Sequence, residues 1–152
     1  MEGDFIVSGR NGKGVLLVVV CRKLRVVFLE IIYKATVKNV TKAFLKIKKR
    51  FPEMKTLTLD NDILFKNHQE LEKLLNIEIY FCNPYHSWEK GTVENANKCI
   101  RRYIPKGGDL SQYSKDEIKT IEEALNNRFM KCLNYKTPLE ALKECRRNKK
   151  QQ

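Results

Sequence analysis

The chain has 152 residues, 42% hydrophobic and 32% charged, with a formal net charge of +12. That length suits one compact domain, and the hydrophobic share is too high for a disordered chain. The longest apolar run, 15–21, falls short of the ~18 residues a membrane span needs, and acidic Glu2 and Asp4 stand where a signal peptide carries positive charge, so cytosol is the expected compartment.

The first apolar stretch, Phe5-Ile6-Val7, is joined to a second at 15–21 through a loop holding Asn11-Gly12, a strong hairpin signal. A third strand is expected over 25–33. The second and third lack polar alternation, which predicts cover on both faces. A helix over 36–51 follows, with Val37, Val40, Phe44, Ile47 and Phe51 in one stripe and Lys38, Lys42, Lys46 and Lys49 outside it. A strand at 55–59 ends at Asp60, then a helix at 67–75 and a strand at 77–81. The helix predicted at 92–104 buries Val93, Ala96, Ile100, Tyr103 and Ile104 and stops at Pro105 and Gly107-Gly108. Ser114 with Glu117 and Thr137 with Glu140 are capping boxes for two further helices. Residues 146–152 read as a frayed basic tail. Strand–helix–strand crossovers predict parallel strands beside the opening hairpins.

Cys21, Cys82, Cys99, Cys132 and Cys145 are odd in number and form no C-x-x-C pair. They predict reduced thiols, several of them buried, not a zinc site or a disulfide framework. The cations are 21 Lys and 9 Arg, and Asn is abundant at 12. The charge therefore fits either a nucleic-acid partner or the codon bias of an AT-rich genome.

Three acids sit in unusual places. Asp4 opens the first strand, Asp60 ends the fourth, and Glu94 lies one residue off the apolar stripe of the helix at 92–104. Acids converging from two strands and a helix repel unless a cation sits among them. In a basic protein acting on nucleic acid, Mg²⁺ is the cation this pattern points to. The alternative is that Asp60 caps a turn while Glu94 pairs with Lys90 and Lys98.

Glu2-Gly3-Asp4, Thr58-Leu59-Asp60-Asn61 and the segment 84–95, from Pro84-Tyr85-His86-Ser87-Trp88 to Glu94-Asn95, resemble the catalytic core of insertion-sequence-thirty-type transposases. The similarity continues through 100–109 (Ile100-Arg101-Arg102 to Gly107-Gly108-Asp109), Leu125-Asn126-Asn127-Arg128 and 131–140. These transposases belong to the D, D, E transposase and retroviral integrase superfamily. Thirty-three residues separate Asp60 from Glu94, the spacing of that family.

The resemblance implies an α/β, ribonuclease H-like fold. Its sheet is mixed and five-stranded, three strands antiparallel and two parallel, flanked by helices, with a catalytic core at 1–145. It implies two Mg²⁺ (or Mn²⁺) ions, Asp4 bridging both while Asp60 and Glu94 each help hold one. The reaction implied is metal-dependent DNA cleavage and strand transfer: water attacks the phosphodiester at the element's end, and the freed 3′-hydroxyl attacks the target strand. The partners are transposon ends and target DNA, with the protein acting as a homo-oligomer on DNA at the prokaryotic nucleoid. Lys90, Asn97, Lys98, Arg101, Arg102 and His86 surround Glu94 in sequence and are the expected DNA contacts. Trp88 is read either as a core plug or as a base-stacking platform. A DNA-binding remnant and a stand-alone ribonuclease H-like nuclease are the rival readings.

The chain departs from the family at several points. Asp62, Leu64 and Phe65 stand where Gly and then Glu-Phe are usual, and Val93 replaces a polar residue. Transposases of this type also carry an N-terminal helix-turn-helix region. Met1 lies three residues before Asp4. The expectation is therefore a core without its DNA-reading half: a fragment, one part of a split reading frame, or a decayed copy.

Overall fold

The structure is a computed structural model and describes residues 1–60, 68–82 and 90–150. Strands β1 (Glu2–Val7), β2 (Val15–Val20) and β3 (Val27–Ile32) form antiparallel hairpins. Helix α1 (Val37–Arg50) leads to β4 (Thr56–Leu59), and α2 (His68–Leu75) leads to β5 (Glu78–Phe81). Both crossovers return a parallel strand, giving one five-stranded sheet of order β3-β2-β1-β4-β5. Helices α3 (Gly91–Ile100), α4 (Lys115–Asn126) and α5 (Pro138–Lys150) follow. The mixed sheet of three antiparallel and two parallel strands is as expected.

Every residue of β2 is buried, which explains its unbroken apolar run. Side chains alternate across a strand, so each face receives its own core. Leu17, Val19, Phe28, Leu57 and Leu59 pack under α1, α2 and α5 with Phe44, Ile47, Leu75 and Leu142. Leu16, Val18, Leu29 and Ile6 pack under α3 and α4 with Val93, Ile100, Ile118 and Leu125.

Helix α1 begins at Thr36, whose hydroxyl accepts from the Asn39 N–H, and Lys38, Lys42, Lys46 and Lys49 lie exposed along it. Both capping boxes form: Ser114 with Glu117, and Thr137 with Glu140.

Three sequence expectations are corrected. Helix α3 stops at Ile100; the next residues tighten into turns with Arg102 N–H donating to Cys99 and Tyr103 N–H to Ile100. Pro105 disfavours helical backbone at Ile104 before it, and Tyr103 is exposed instead of buried. Residues 146–150 are not frayed, because α5 runs to Lys150 and the Arg146 guanidinium grips both Glu53 carboxylate oxygens at 2.7 and 3.1 Å. No disulfide joins the five cysteines among the described residues, and of them only Cys99 is buried. No helix among the described residues is long and apolar enough to cross a membrane.

The free edge of β3 is covered in a way the sequence did not announce. Asn126 of α4 accepts from the Val27 N–H at 2.8 Å and donates to the Val27 carbonyl at 2.7 Å. One turn earlier, Glu122 accepts from the Leu29 N–H at 2.6 Å and pairs with Arg50. Two helix side chains thus stand in for a sixth strand.

Candidate active site

Alternation along β1 sends Glu2, Asp4 and Ile6 to the α3 face, and Ile6 packs in that core. On β4, Leu57 and Leu59 point the other way, so Thr58 and Asp60 face α3 as well. Glu2 is registered beside Thr58 on the parallel neighbour, and two residues further on Asp4 comes alongside Asp60. Gly3 lies between the acids on the opposite face, where a Cβ would come within 2.6 Å of Leu59. Two carboxylates on adjacent strands, ~4.8 Å apart in backbone spacing, call for a positive charge.

Lys90 supplies it. Its side chain is only 6% exposed, and its Nζ lies 2.7 Å from Asp60 Oδ2 and 3.3 Å from Asp4 Oδ1. The same ammonium donates to the Gly3 carbonyl at 3.3 Å. The other oxygen of Asp4, Oδ2, accepts from Asn97 Nδ2 at 2.7 Å. Asn97 Oδ1, on the same amide, is buried without a hydrogen-bond partner among the described residues.

Helix α3 is held against this pair by a residue the sequence reading passed over. Glu2 is 1% exposed; its Oε2 accepts from the Val93 N–H at 2.8 Å and its Oε1 meets Arg22 Nε at 3.0 Å. A carboxylate at the first turn satisfies an orphan donor and favours the positive end of the helix dipole. The alternation of Glu2, Asp4 and Ile6 was the available signal.

Glu94 is exposed on α3. Lys90 lies four residues before it and Asn97 three after, so all three fall within about 60° around the helix. Both flanking residues reach Asp4, and Glu94 therefore sits on the edge of α3 nearest the aspartates. It does not close on them: among the described residues, no three acidic, His or Cys side chains gather closely enough to share an ion. Nor does Glu94 form an ion pair with Lys90 or Lys98 among the described residues. Lys90 turns to the aspartates instead.

The expected DNA contacts divide accordingly. Lys98 and Arg102 are exposed. Arg101 is half-buried and donates to the Pro105 carbonyl at 3.3 Å. Lys90 and Asn97 both reach the aspartates here, because two juxtaposed carboxylates draw the nearest donors. His86 and Trp88, like Asp62, Leu64 and Phe65, lie outside the described residues. Val93, fully buried against the sheet, leaves the polar face of α3 undisturbed. His68 meets the edge of Phe81, ring centroids 4.9 Å apart.

The donor set suits a hard cation. Two carboxylates face one buried ammonium, and an acceptor without a donor lies beside them, all oxygens of the kind Mg²⁺ or Mn²⁺ takes.

Sequence comparison finds relatives over nearly the whole chain. It is 41% identical over 145 residues to the transposase for insertion sequence element IS4351 of Bacteroides fragilis, covering 95% of this chain and 44% of that protein. Identity is 38% to the IS1086 transposase of Cupriavidus metallidurans, over 93% of this chain and 42% of the relative. It is 33% to the InsI transposase of IS30C from Escherichia coli K12, over 93% and 37%. The chain thus spans less than half the length of these curated relatives. No family model matches. Among solved structures, the catalytic core domain of BIV integrase superposes with a TM-score of 0.74 at 22% identity, covering 97% of this chain and 95% of that one. A chain of the simian T-cell lymphotropic virus intasome complexed with PP2A regulatory subunit B56 gamma gives 0.76 at 18% identity, over 92% and 52%.

Proposed function

We propose, from its similarity to the IS30-type transposases and the ribonuclease H-like fold it shares with integrase catalytic cores, that the chain is a transposase catalytic core performing metal-dependent DNA cleavage and strand transfer. The observation that carries the reading is the convergence of Asp4 and Asp60, from adjacent parallel strands, on a single cation position beside α3. Asp4 and Asp60 hold divalent ions there, and Glu94 joins them from the facing edge of α3. Two such ions would activate the attacking water or 3′-hydroxyl and neutralise the leaving oxygen of the phosphodiester.

The remaining work belongs to the chain's own residues. Asn97 fixes the orientation of the Asp4 carboxylate, and Glu2 anchors the first turn of α3 so that Glu94 faces the aspartates. Lys98, one turn beyond Glu94, and Arg102, just past the end of α3, hold DNA backbone phosphates beside the reacting bond. His86, expected from the sequence as a DNA contact, is proposed for the same role. The substrates are element ends and target DNA, bound by a homo-oligomer in the bacterial cytoplasm.

The test is strand transfer with pre-cleaved element ends, target DNA and Mg²⁺ or Mn²⁺. Joined products are expected with the unaltered chain and none above background with Asp60→Asn or Glu94→Gln. DNA binding without metal-dependent joining would overturn the enzyme reading, and cleavage confined to the RNA strand of hybrids would redirect it to a nuclease.

A further inference from the structure

We propose that Lys90 is a tethered counter-ion for the metal site: in the metal-free chain its ammonium occupies the cation position between Asp4 and Asp60, and a divalent ion binds only by displacing it. The inference rests on the metal reading above and deepens it.

Lys90 is 5% exposed as a residue, although long cationic side chains usually keep their charged ends in water. Among the described residues its ammonium meets three oxygens, all of the candidate metal position: Asp60 at 2.7 Å, Asp4 at 3.3 Å and the Gly3 carbonyl at 3.3 Å. A divalent ion held by the same two carboxylates would stand within a few ångströms of that ammonium, and like charges so close in a partly buried site repel strongly. Ammonium and metal are therefore alternatives. Lysine suits the exchange, because a compact charge on a flexible four-carbon stem can leave without moving the backbone.

Lys90 is also anchored where leaving has a direction. It precedes Gly91 at the start of α3 and makes no side-chain cap to the helix, so its departure costs the helix nothing. Glu94 and Lys98 follow it at successive turns along α3, both exposed. Displaced outward along this edge, the ammonium joins the cations available to DNA phosphate. The device couples the steps: without metal the aspartates stay neutralised and Lys90 is withheld, and with metal it is released to the substrate.

Two measurements test this. The first is Mn²⁺ binding, by calorimetry, to the unaltered chain and to Lys90→Met and Lys90→Gln. Removing an internal competitor should tighten Mn²⁺ binding by about tenfold, since apparent affinity scales with the fraction of vacant site. Each metal-free variant should also melt below the metal-free parent and gain more on adding Mn²⁺. Equal or weaker Mn²⁺ affinity in both variants, with Asp60→Asn still abolishing binding, overturns the role of Lys90 and leaves the metal reading standing. Absence of any Asp60-dependent binding overturns both.

The second measurement needs no variant. Brief acetylation of the unaltered chain, read by mass spectrometry, should leave Lys90 protected without metal and label it with Mg²⁺. Labelling that is the same in both conditions overturns the proposal even if the variants fail to fold.

Discussion

Asp109 shows how much a single side chain can tie together. Its carboxylate accepts from the Lys13 N–H at 2.9 Å, the Ser111 N–H at 2.9 Å and the Ser111 hydroxyl at 2.8 Å. The Lys13 bond joins the β1–β2 loop to the segment after α3. Gly9 crosses Gly107 so closely that a Cβ on it would lie 2.3 Å from the Gly107 carbonyl oxygen. The motif Lys106-Gly107-Gly108-Asp109 therefore fastens the hairpin that carries Asp4. The Lys13 and Ser111 donors, backbone bonds first, hold the Asp109 carboxyl below the usual carboxylate range. A depressed folded pKa gives stability that is present above the ordinary value of 3.8 and lost as pH falls through the depressed one. Asp109→Asn should accordingly lower the melting temperature at neutral pH, with the deficit shrinking in strong acid. Melting curves of both chains between neutral pH and pH ~2 check this; a deficit independent of pH would mean that the charge of Asp109 is not what its donors recognise.

Among the elements, the pairing of α4 with β3 repays the closest look. The sequence reading found α4 by its capping box but gave Asn126 no task beyond a family likeness. In the structure Asn126 closes both hydrogen-bonding groups of Val27 on a strand edge. Asn126→Ala should cost about 2 kcal/mol in urea unfolding, since a buried donor and acceptor lose their partner together. Asn126→Asp keeps the acceptor but turns a carboxylate oxygen to the Val27 carbonyl. It should lose at least as much near neutral pH and recover part of the loss in acid, once protonation restores a donor. Helix α3 makes the complementary point. Its buried side, Val93, Ala96, Cys99 and Ile100, follows the sequence stripe, while its polar edge is set by what the sheet presents.

Over the whole molecule the net charge of +12 acquires a location. Lys90 is spent on Asp4 and Asp60, Arg50 on Glu30 and Glu122, Arg22 on Glu2, and Arg146 on Glu53. Lys98, Arg102 and the α1 lysines at 38, 42 and 49 enter no ion pair among the described residues. If Lys98 and Arg102 each neutralise one phosphate, changing either to Ala should reduce the slope of log affinity against log salt by about 1, uniformly across DNA sequences. Fluorescence anisotropy over a salt series reads that slope directly. An unchanged slope would move the DNA path off this edge of α3.

What the sequence determined by itself was local and periodic. The hairpin signal at Asn11-Gly12, the uninterrupted apolar strands, the stripe of α1 and both capping boxes are decided within a few residues of chain, so they are legible in order along it. Spacing and family likeness also singled out Asp4, Asp60 and Glu94, of which the structure brings Asp4 and Asp60 to one ammonium and leaves Glu94 exposed on α3. Tertiary structure decided which charge meets which. Lys90 is four residues from Glu94 and far in sequence from Asp4, yet it pairs with the aspartates. Parallel register brings two carboxylates to one face of neighbouring strands, and two like charges side by side attract the nearest cation more strongly than the single exposed carboxylate of Glu94 does. Glu2, Asn97 and Asn126 share that origin. Each satisfies a polar group from a distant part of the chain, a need that exists only once the sheet and its helices have closed.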